Sequence, residues 1–159
     1  MSFLRYLMLL SLIVWLGGLI FFSFVVAPTV FQVLPTHHLA GNVVSRSLTL
    51  LHWMGIVSGF GLLACSMIYT RLSTGELHPF APRHVLVYFM LALTMISQFK
   101  LFPKMDALRT SMGEIDNVPL TDPARVLFDS LHVWSTRLEV GVFVLGLILV
   151  YLVAQRWAA

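Results

Sequence analysis

The stretch FLRYLMLLSLIVWLGGLIFFSFVVA, residues 3–27, contains a single charged side chain, that of Arg5. A helix of about 20 apolar residues crosses the roughly 30 Å hydrocarbon core of a bilayer, and this stretch is long enough to do so. The apolar region of a secretory signal is shorter, about 7–15 residues, and no small-x-small cleavage motif precedes Pro28. We therefore predict a retained first membrane span that bends or stops at Pro28, because the proline ring disfavours a continuing helix.

Three further apolar windows follow, and we predict spans at about 48–69, 83–102 and 124–157. The last helix begins after Asp122 and Pro123 and meets no helix breaker before the C-terminus, so it is longer than one bilayer thickness. The predicted fold is a single all-α domain over residues 1–159. It is an antiparallel four-helix transmembrane bundle with a long C-terminal helix.

The connections are predicted from the prolines and the polar residues. The first connection covers 29–47, with its later part, from Leu39, already helical. The third span ends at Pro103, and the polar segment 104–122 is predicted to be a solvent-exposed loop.

Composition excludes several classes of protein. Of the 159 residues, 58% are apolar and 11% are charged, whereas soluble domains carry about 25% charged residues. Four spans leave no room for a separate catalytic domain. The formal charge of +3 comes from scattered cations, so we expect a lipid bilayer and no nucleic acid as partner. The only cysteine, Cys65, excludes an intramolecular disulfide.

Glycines inside the spans predict close helix packing. Gly17 and Gly18 are adjacent in the first span, and Gly55 and Gly59 form a small-xxx-small pair in the second. Such pairs let another helix approach closely, and packing explains these glycines without a ligand.

The C-terminal helix carries a polar stripe whose members are spaced 4, 3, 4 and 3 residues apart: Arg125, Asp129, His132, Thr136 and Glu139. This spacing places all five on one helix face. Such a stripe is suited to relaying protons, ligating a metal or binding a polar headgroup. The alternative is that it faces water or headgroups before the apolar span begins at Val140.

The antiparallel topology brings the start of span 2, the end of span 3 and the start of span 4 to one membrane face. There Arg46 and His52 would converge with Asp129, His132 and Glu139, forming a small polar pocket for a polar solute, a cation or a lipid headgroup. The alternative for His52 is a helix-end histidine bonded to a neighbouring helix or to water. Gln98 is predicted to make a helix–helix hydrogen bond.

Enzymatic motifs are missing from the sequence: it has no GxSxG, HExxH or CxxC motif and no glycine-rich phosphate loop. This favours a non-enzymatic protein without a cofactor. The alternative is a membrane redox protein that binds haem b or copper, with His52 and His132 as the candidate ligands. A single protomer offers no continuous polar path, so a role as a conduit would need a homo-oligomer.

Three groups of residues resemble the DUF4149 domain family, the bacterial relatives of transmembrane protein 205. They are Trp15-Leu16-Gly17-Gly18 with Phe21-Phe22 and Pro28, then Phe102-Pro103-Lys104, and then Phe128, Leu131-His132 and Ser135. The resemblance implies a four-span integral membrane protein of unestablished activity, located in a bacterial inner membrane.

The Trp-Leu-Gly-Gly motif is also similar to the first span of copper-resistance D and HemJ-type membrane proteins, and the latter likeness implies haem. In the HemJ-type proteins a histidine closes the first span. Here 30–34 carries none, and His37 and His38 come later.

Overall fold

Four long helices account for most of the chain in the computed structural model, which describes the backbone of residues 1–158 and the side chains of residues 1–155. They are α1 (Ser2–Val33), α2 (His37–Thr74), α3 (Pro82–Met112) and α4 (Pro123–Ala158). Each is long and apolar enough to cross a membrane. No strand occurs in the part of the chain that the structure describes. The predicted all-α bundle with a long C-terminal helix is therefore confirmed.

Of the bend or stop predicted at Pro28, the stop does not occur. Helix α1 continues to Val33, and a π-helical turn at Phe22–Val26 directly precedes the proline. The π-helical turn changes the backbone hydrogen-bond pattern at the point where the proline has no N–H to donate. Pro28 then lies in the first turn of a new α-helical segment, a position where proline is tolerated.

Pro103 is accommodated in the same way, so the prediction that it ends span 3 was also wrong. A π-helical turn at Ser97–Leu101 precedes it, and α3 continues to Met112. Residues 104–112, assigned from the sequence to a solvent loop, are therefore helical. The loop proper, 113–122, includes one 3₁₀ turn at Ile115–Asn117.

The α1–α2 connection is also shorter than predicted. It consists of residues 34–36, and α2 begins at His37, where the Thr36 hydroxyl accepts a hydrogen bond from the backbone N–H of Leu39 at 3.2 Å. At its other end α2 stops at Gly75, whose φ of +79° is a left-handed conformation that favours glycine.

Sequential helices pack side by side, α1 on α2, α2 on α3 and α3 on α4, while α1 approaches α4 less closely. The core between them is built from apolar side chains of all four helices, including Trp15, Leu62, Met90, Val142 and Leu149. Aromatic and aliphatic side chains are exposed all around the outside, as expected of helices whose solvent is lipid.

Trp15 lies in a groove that two glycines leave on α2. A Cβ at Gly55 would lie 2.5 Å from Trp15 Nε1, and one at Gly59 would lie 2.7 Å from the same ring. A Cβ at Gly18 would lie 2.8 Å from Leu51 Cδ1. Gly17 differs from the prediction, because it faces outward and an added Cβ would meet no described atom within 4 Å.

Candidate functional site

A buried polar network joins α2, α3 and α4 within the apolar part of the bundle. The imidazole of His52 is 2% exposed and has both ring nitrogens engaged. Nδ1 lies 2.9 Å from Gln98 Oε1, and Nε2 lies 2.6 Å from Glu139 Oε1. The ring also meets the edge of Phe102, with ring centroids 5.0 Å apart. These contacts satisfy the histidine entirely from neighbouring helices.

The π-helical turn of α3 supplies two members of this network. Ser97 and Gln98 are its first two residues, and Ser97 is completely buried. The Ser97 hydroxyl donates a hydrogen bond to Glu139 Oε1 at 3.4 Å. A π turn adds one residue to the helical repeat and so changes which side chains face a neighbour. Here it directs two successive polar side chains toward α2 and α4.

One shared proton explains the geometry of this network. With Gln98 Oε1 as an acceptor, His52 Nδ1 must donate, which leaves the short contact between Nε2 and Glu139 Oε1. That contact contains one proton, either on the imidazole, giving an ion pair, or on the carboxyl group, giving a neutral pair. Both arrangements carry no net charge, which is what a site surrounded by hydrocarbon requires.

Glu139 also borders a cavity of about 510 Å³ between α1 and α4, hereafter the α1–α4 cavity. Its inner half is lined mainly by Phe22, Leu48, Phe102, Ser135 and Glu139, and its outer half by charged side chains, among them Arg109, Asp116, Arg125 and Asp129. The cavity is open to the surroundings, since the lining residues Phe31, His132 and Thr136 are exposed.

Arg109 lies in the wall of this cavity. Its side chain is 9% exposed, and its guanidinium carbon lies 5.3 Å from the centroid of the Phe128 ring. A Cβ at Gly41 would lie 3.4 Å from its Nη2 atom, so the absence of a side chain at Gly41 makes room for the guanidinium. Among the described residues no carboxylate forms an ion pair with Arg109.

The other charged residues at the outer end are paired with each other. Arg125 contacts the carboxylate of Asp129 at 3.1 Å and donates a hydrogen bond to the Ile115 carbonyl at 2.6 Å. His37 and Asp116 lie 3.1 Å apart and connect the start of α2 to the α3–α4 loop. These pairs hold the loop against the helices at the mouth of the cavity.

The structure brings together some of the predicted pocket residues and separates others. Asp129, His132, Thr136 and Glu139 line the α1–α4 cavity. His52 lies behind Glu139 and does not line it. Arg46 does not line this cavity. It lines a second cavity of about 610 Å³ between α2 and α3, and Arg109 lies in the walls of both cavities.

The comparison with protein families gives a match that covers most of the first three helices. The model of the family DUF4149, described as a domain of unknown function, matches residues 10–114, which is about two thirds of the chain. This chain belongs to the DUF4149 family. No curated protein and no solved structure matches it.

The DUF4149 match covers the part of the site carried by α2 and α3, including His52, Gln98 and Arg109. Glu139 and the rest of the α4 stripe lie beyond the matched residues. In this DUF4149 protein the cavity is therefore formed by the matched region together with a helix outside the match.

Sequence reasoning missed Arg109 and Ser97 as site residues of this DUF4149 protein. Arg109 was assigned to a loop because Pro103 was interpreted as a helix end. The available signal was the polar pair Ser97-Gln98 inside an apolar window, five to six residues before a proline. Polar side chains are costly inside a membrane span, so this pair indicates that both residues contact polar partners on another helix.

His52 and His132, the two candidate haem or copper ligands, have different surroundings in this DUF4149 protein. Both nitrogens of His52 are engaged by protein groups, so it would have to give up the contacts with Gln98 and Glu139 to bind a metal. His132 is exposed and stacks on Phe128. Within the described residues, no group of three or more His, Cys, Asp and Glu side chains is placed to hold an ion.

A second polar cluster lies at the opposite end of the bundle, and the DUF4149 match includes it. His84, which is 1% exposed, lies 2.8 Å from the Ser66 hydroxyl, and its Nδ1 donates to the His78 carbonyl at 2.9 Å. Arg83 donates hydrogen bonds to the hydroxyls of Ser66 and Thr70. These contacts attach the start of α3 to α2.

Proposed function

We propose that this DUF4149 protein is a non-enzymatic integral membrane protein that binds a small polar or amphipathic ligand in the α1–α4 cavity. The observation that carries the proposal is the cavity itself. About 510 Å³ is within the ordinary range of ligand sites, and a few polar groups converge on a largely apolar lining, which is the usual composition of such sites.

The buried network supports a binding role by keeping the inner end of the cavity rigid. Glu139 Oε1 makes hydrogen bonds with His52 of α2 and Ser97 of α3, and these contacts hold the carboxyl group in place at the cavity wall. A ligand entering the cavity therefore meets a preorganised polar group, and preorganisation reduces the entropic cost of binding.

The proposal includes no haem and no copper, because the candidate ligand His52 is already satisfied by Gln98 and Glu139. The absorption spectrum of the purified protein, before and after dithionite, tests this part of the proposal. A Soret band that shifts on reduction would contradict it.

We also propose that the protein resides in a bacterial inner membrane. Its family resemblance supports this location, as does its helical structure, because outer-membrane proteins span as β-barrels. The ligand would then come from the lipid or from one aqueous side. Assembly of several copies stays a prediction, to be measured by light scattering in detergent.

A pair of tryptophan substitutions on α2 tests the proposal. Val44→Trp adds bulk at a residue that lines the cavity, whereas Val57→Trp adds the same bulk at a side chain that is 70% exposed on the outer surface. We expect ligands found by a thermal-shift screen of lipids and solutes to lose their effect on Val44→Trp and to keep it on Val57→Trp. Equal responses of the two variants would show that binding takes place elsewhere.

A further inference from the structure

The charges around the α1–α4 cavity leave one cation without a counter-ion. Arg125 is paired with Asp129, His37 with Asp116, and His52 with Glu139. Of the two described arginines that line the cavity, Arg109 is the one without an ion-pair partner, although it is only 9% exposed. Burying a cation without a paired anion is costly, so a residue that remains in this state needs an explanation.

The surroundings of Arg109 compensate it only in part. The Phe128 ring offers a cation–π contact at 5.3 Å. Asp106, one turn earlier on α3, attracts the guanidinium but is exposed and forms no ion pair with it. Neither contact uses the planar fork of N–H donors, which matches the two oxygens of a carboxylate or a phosphate.

The cavity next to Arg109 is apolar toward the bundle centre. Phe22 and Ala27 of α1 and Leu48 of α2 line it there, within the stretches expected to lie in hydrocarbon. Because α1 approaches α4 less closely than it approaches α2, the wall between α1 and α4 is where an apolar chain has room to lie. The charged end of the cavity therefore corresponds to the headgroup region of one leaflet, and its apolar end corresponds to the hydrocarbon core.

We infer that the ligand of the α1–α4 cavity is an anionic amphiphile, whose carboxylate or phosphate group is bound by Arg109 and whose apolar tail lies between α1 and α4. This inference rests on the proposed function and narrows it to a ligand class. A membrane lipid and a soluble alkyl anion share this chemistry, and the experiment separates the two sources.

The test measures ligand affinity of the full chain purified in a neutral maltoside detergent. Octyl phosphate and octanoate are the anionic probes, octanol has the tail alone, and inorganic phosphate has the headgroup alone. Native mass spectrometry with phosphatidylglycerol and phosphatidylcholine provides the lipid arm. The variants are Arg109→Gln, Arg109→Lys and the control Arg46→Gln, which removes one positive charge at the same end of the bundle but outside this cavity.

We expect Arg109→Gln to weaken binding of octyl phosphate at least tenfold, because a charge-assisted hydrogen bond is lost, while Arg46→Gln binds like the wild type. Arg109→Lys keeps the positive charge but not the planar fork of donors, so its affinity should lie between those of the wild type and Arg109→Gln. Such an intermediate affinity would show that the weaker binding is not caused by loss of the fold. If phosphatidylglycerol also binds in an Arg109-dependent manner and phosphatidylcholine does not, a membrane lipid is the source. Arg109-dependent binding of octyl phosphate without such binding of phosphatidylglycerol would identify a soluble amphiphile.

Two results would overturn the inference while leaving the proposed function in place. One is equal affinity of wild type and Arg109→Gln for octyl phosphate, with binding still lost in Val44→Trp. The other is binding of inorganic phosphate as tight as that of octyl phosphate, which would leave no role for the tail. If no probe binds in a manner sensitive to Val44→Trp, the proposed function itself fails.

Discussion

At the scale of single residues, the contact between His52 and Glu139 has the clearest energetic consequence. Removing either partner leaves the other without its hydrogen bond in a buried site, whereas the double variant contains neither of these two groups. Interhelical hydrogen bonds in membrane proteins average about 0.6 kcal/mol in double-mutant cycles, with a maximum near 1.7 kcal/mol. A contact of 2.6 Å at a histidine that is 2% exposed belongs near the upper end of that range.

We therefore predict a coupling free energy of about 1–1.7 kcal/mol between His52→Ala and Glu139→Ala, measured from unfolding of the two single variants and the double variant in mixed micelles. The chain provides its own control. His78 and Glu76 lie 3.9 Å apart but are 54% and 79% exposed, so the same cycle there should give a coupling near zero. Indistinguishable couplings at the two pairs would argue against a shared proton in the buried one.

At the scale of helices, the contact between α1 and α2 depends on glycines that leave room for Trp15. A methyl group at Gly55 would lie 2.5 Å from a rigid indole ring, so the helices would have to separate. We predict that Gly55→Ala lowers the free energy of unfolding by about 1–3 kcal/mol through overpacking. Thermal or denaturant unfolding in detergent measures this loss.

Gly17→Ala is the matched control for that prediction. It makes the same chemical change in a membrane helix, but its new methyl group meets no described atom within 4 Å. We expect it to be neutral or slightly stabilising, because alanine has the higher helix propensity. If Gly17→Ala is as damaging as Gly55→Ala, the α1–α2 packing described above is incorrect.

At the scale of the whole molecule, the antiparallel bundle makes the α1–α4 cavity accessible from one membrane side. The α3–α4 loop lies on that side and the α2–α3 loop on the other. In a Cys65→Ser background, we predict that Thr136→Cys in the cavity reacts with a membrane-impermeant maleimide from the side that labels Asn117→Cys. Maleimide added on the side that labels Glu76→Cys should not react with Thr136→Cys. Labelling in sealed vesicles of known orientation measures both reactions.

Reaction of Thr136→Cys from both sides would show that the cavity crosses the bundle, and reaction from the Glu76 side alone would contradict the topology. Thr136 suits the test because it is exposed, lines the cavity and, within the described chain, makes only a hydrogen bond to its own helix. A small thiol there is not expected to disturb the fold.

The amino-acid sequence determined the number, order and approximate depth of the helices, and with them the membrane face on which His52 and Glu139 lie. It could do so because the cost of placing polar groups in hydrocarbon acts on each segment separately. The DUF4149 family was likewise apparent from local motifs. The polar stripe of α4 and the small-xxx-small glycines of α2 could also be predicted from the sequence, because each pattern repeats with the period of a single helix.

Only the tertiary structure decided which polar side chains meet. Each π-helical turn inserts a residue and rotates everything beyond it by about 100° relative to a regular helix, so helical periodicity read along α1 or α3 assigns the wrong face after the turn. The same turns let Pro28 and Pro103 lie inside continuous helices. Arg109 consequently lies in a helix and in the cavity wall, a position that depends on the packing of all four helices and on no local pattern.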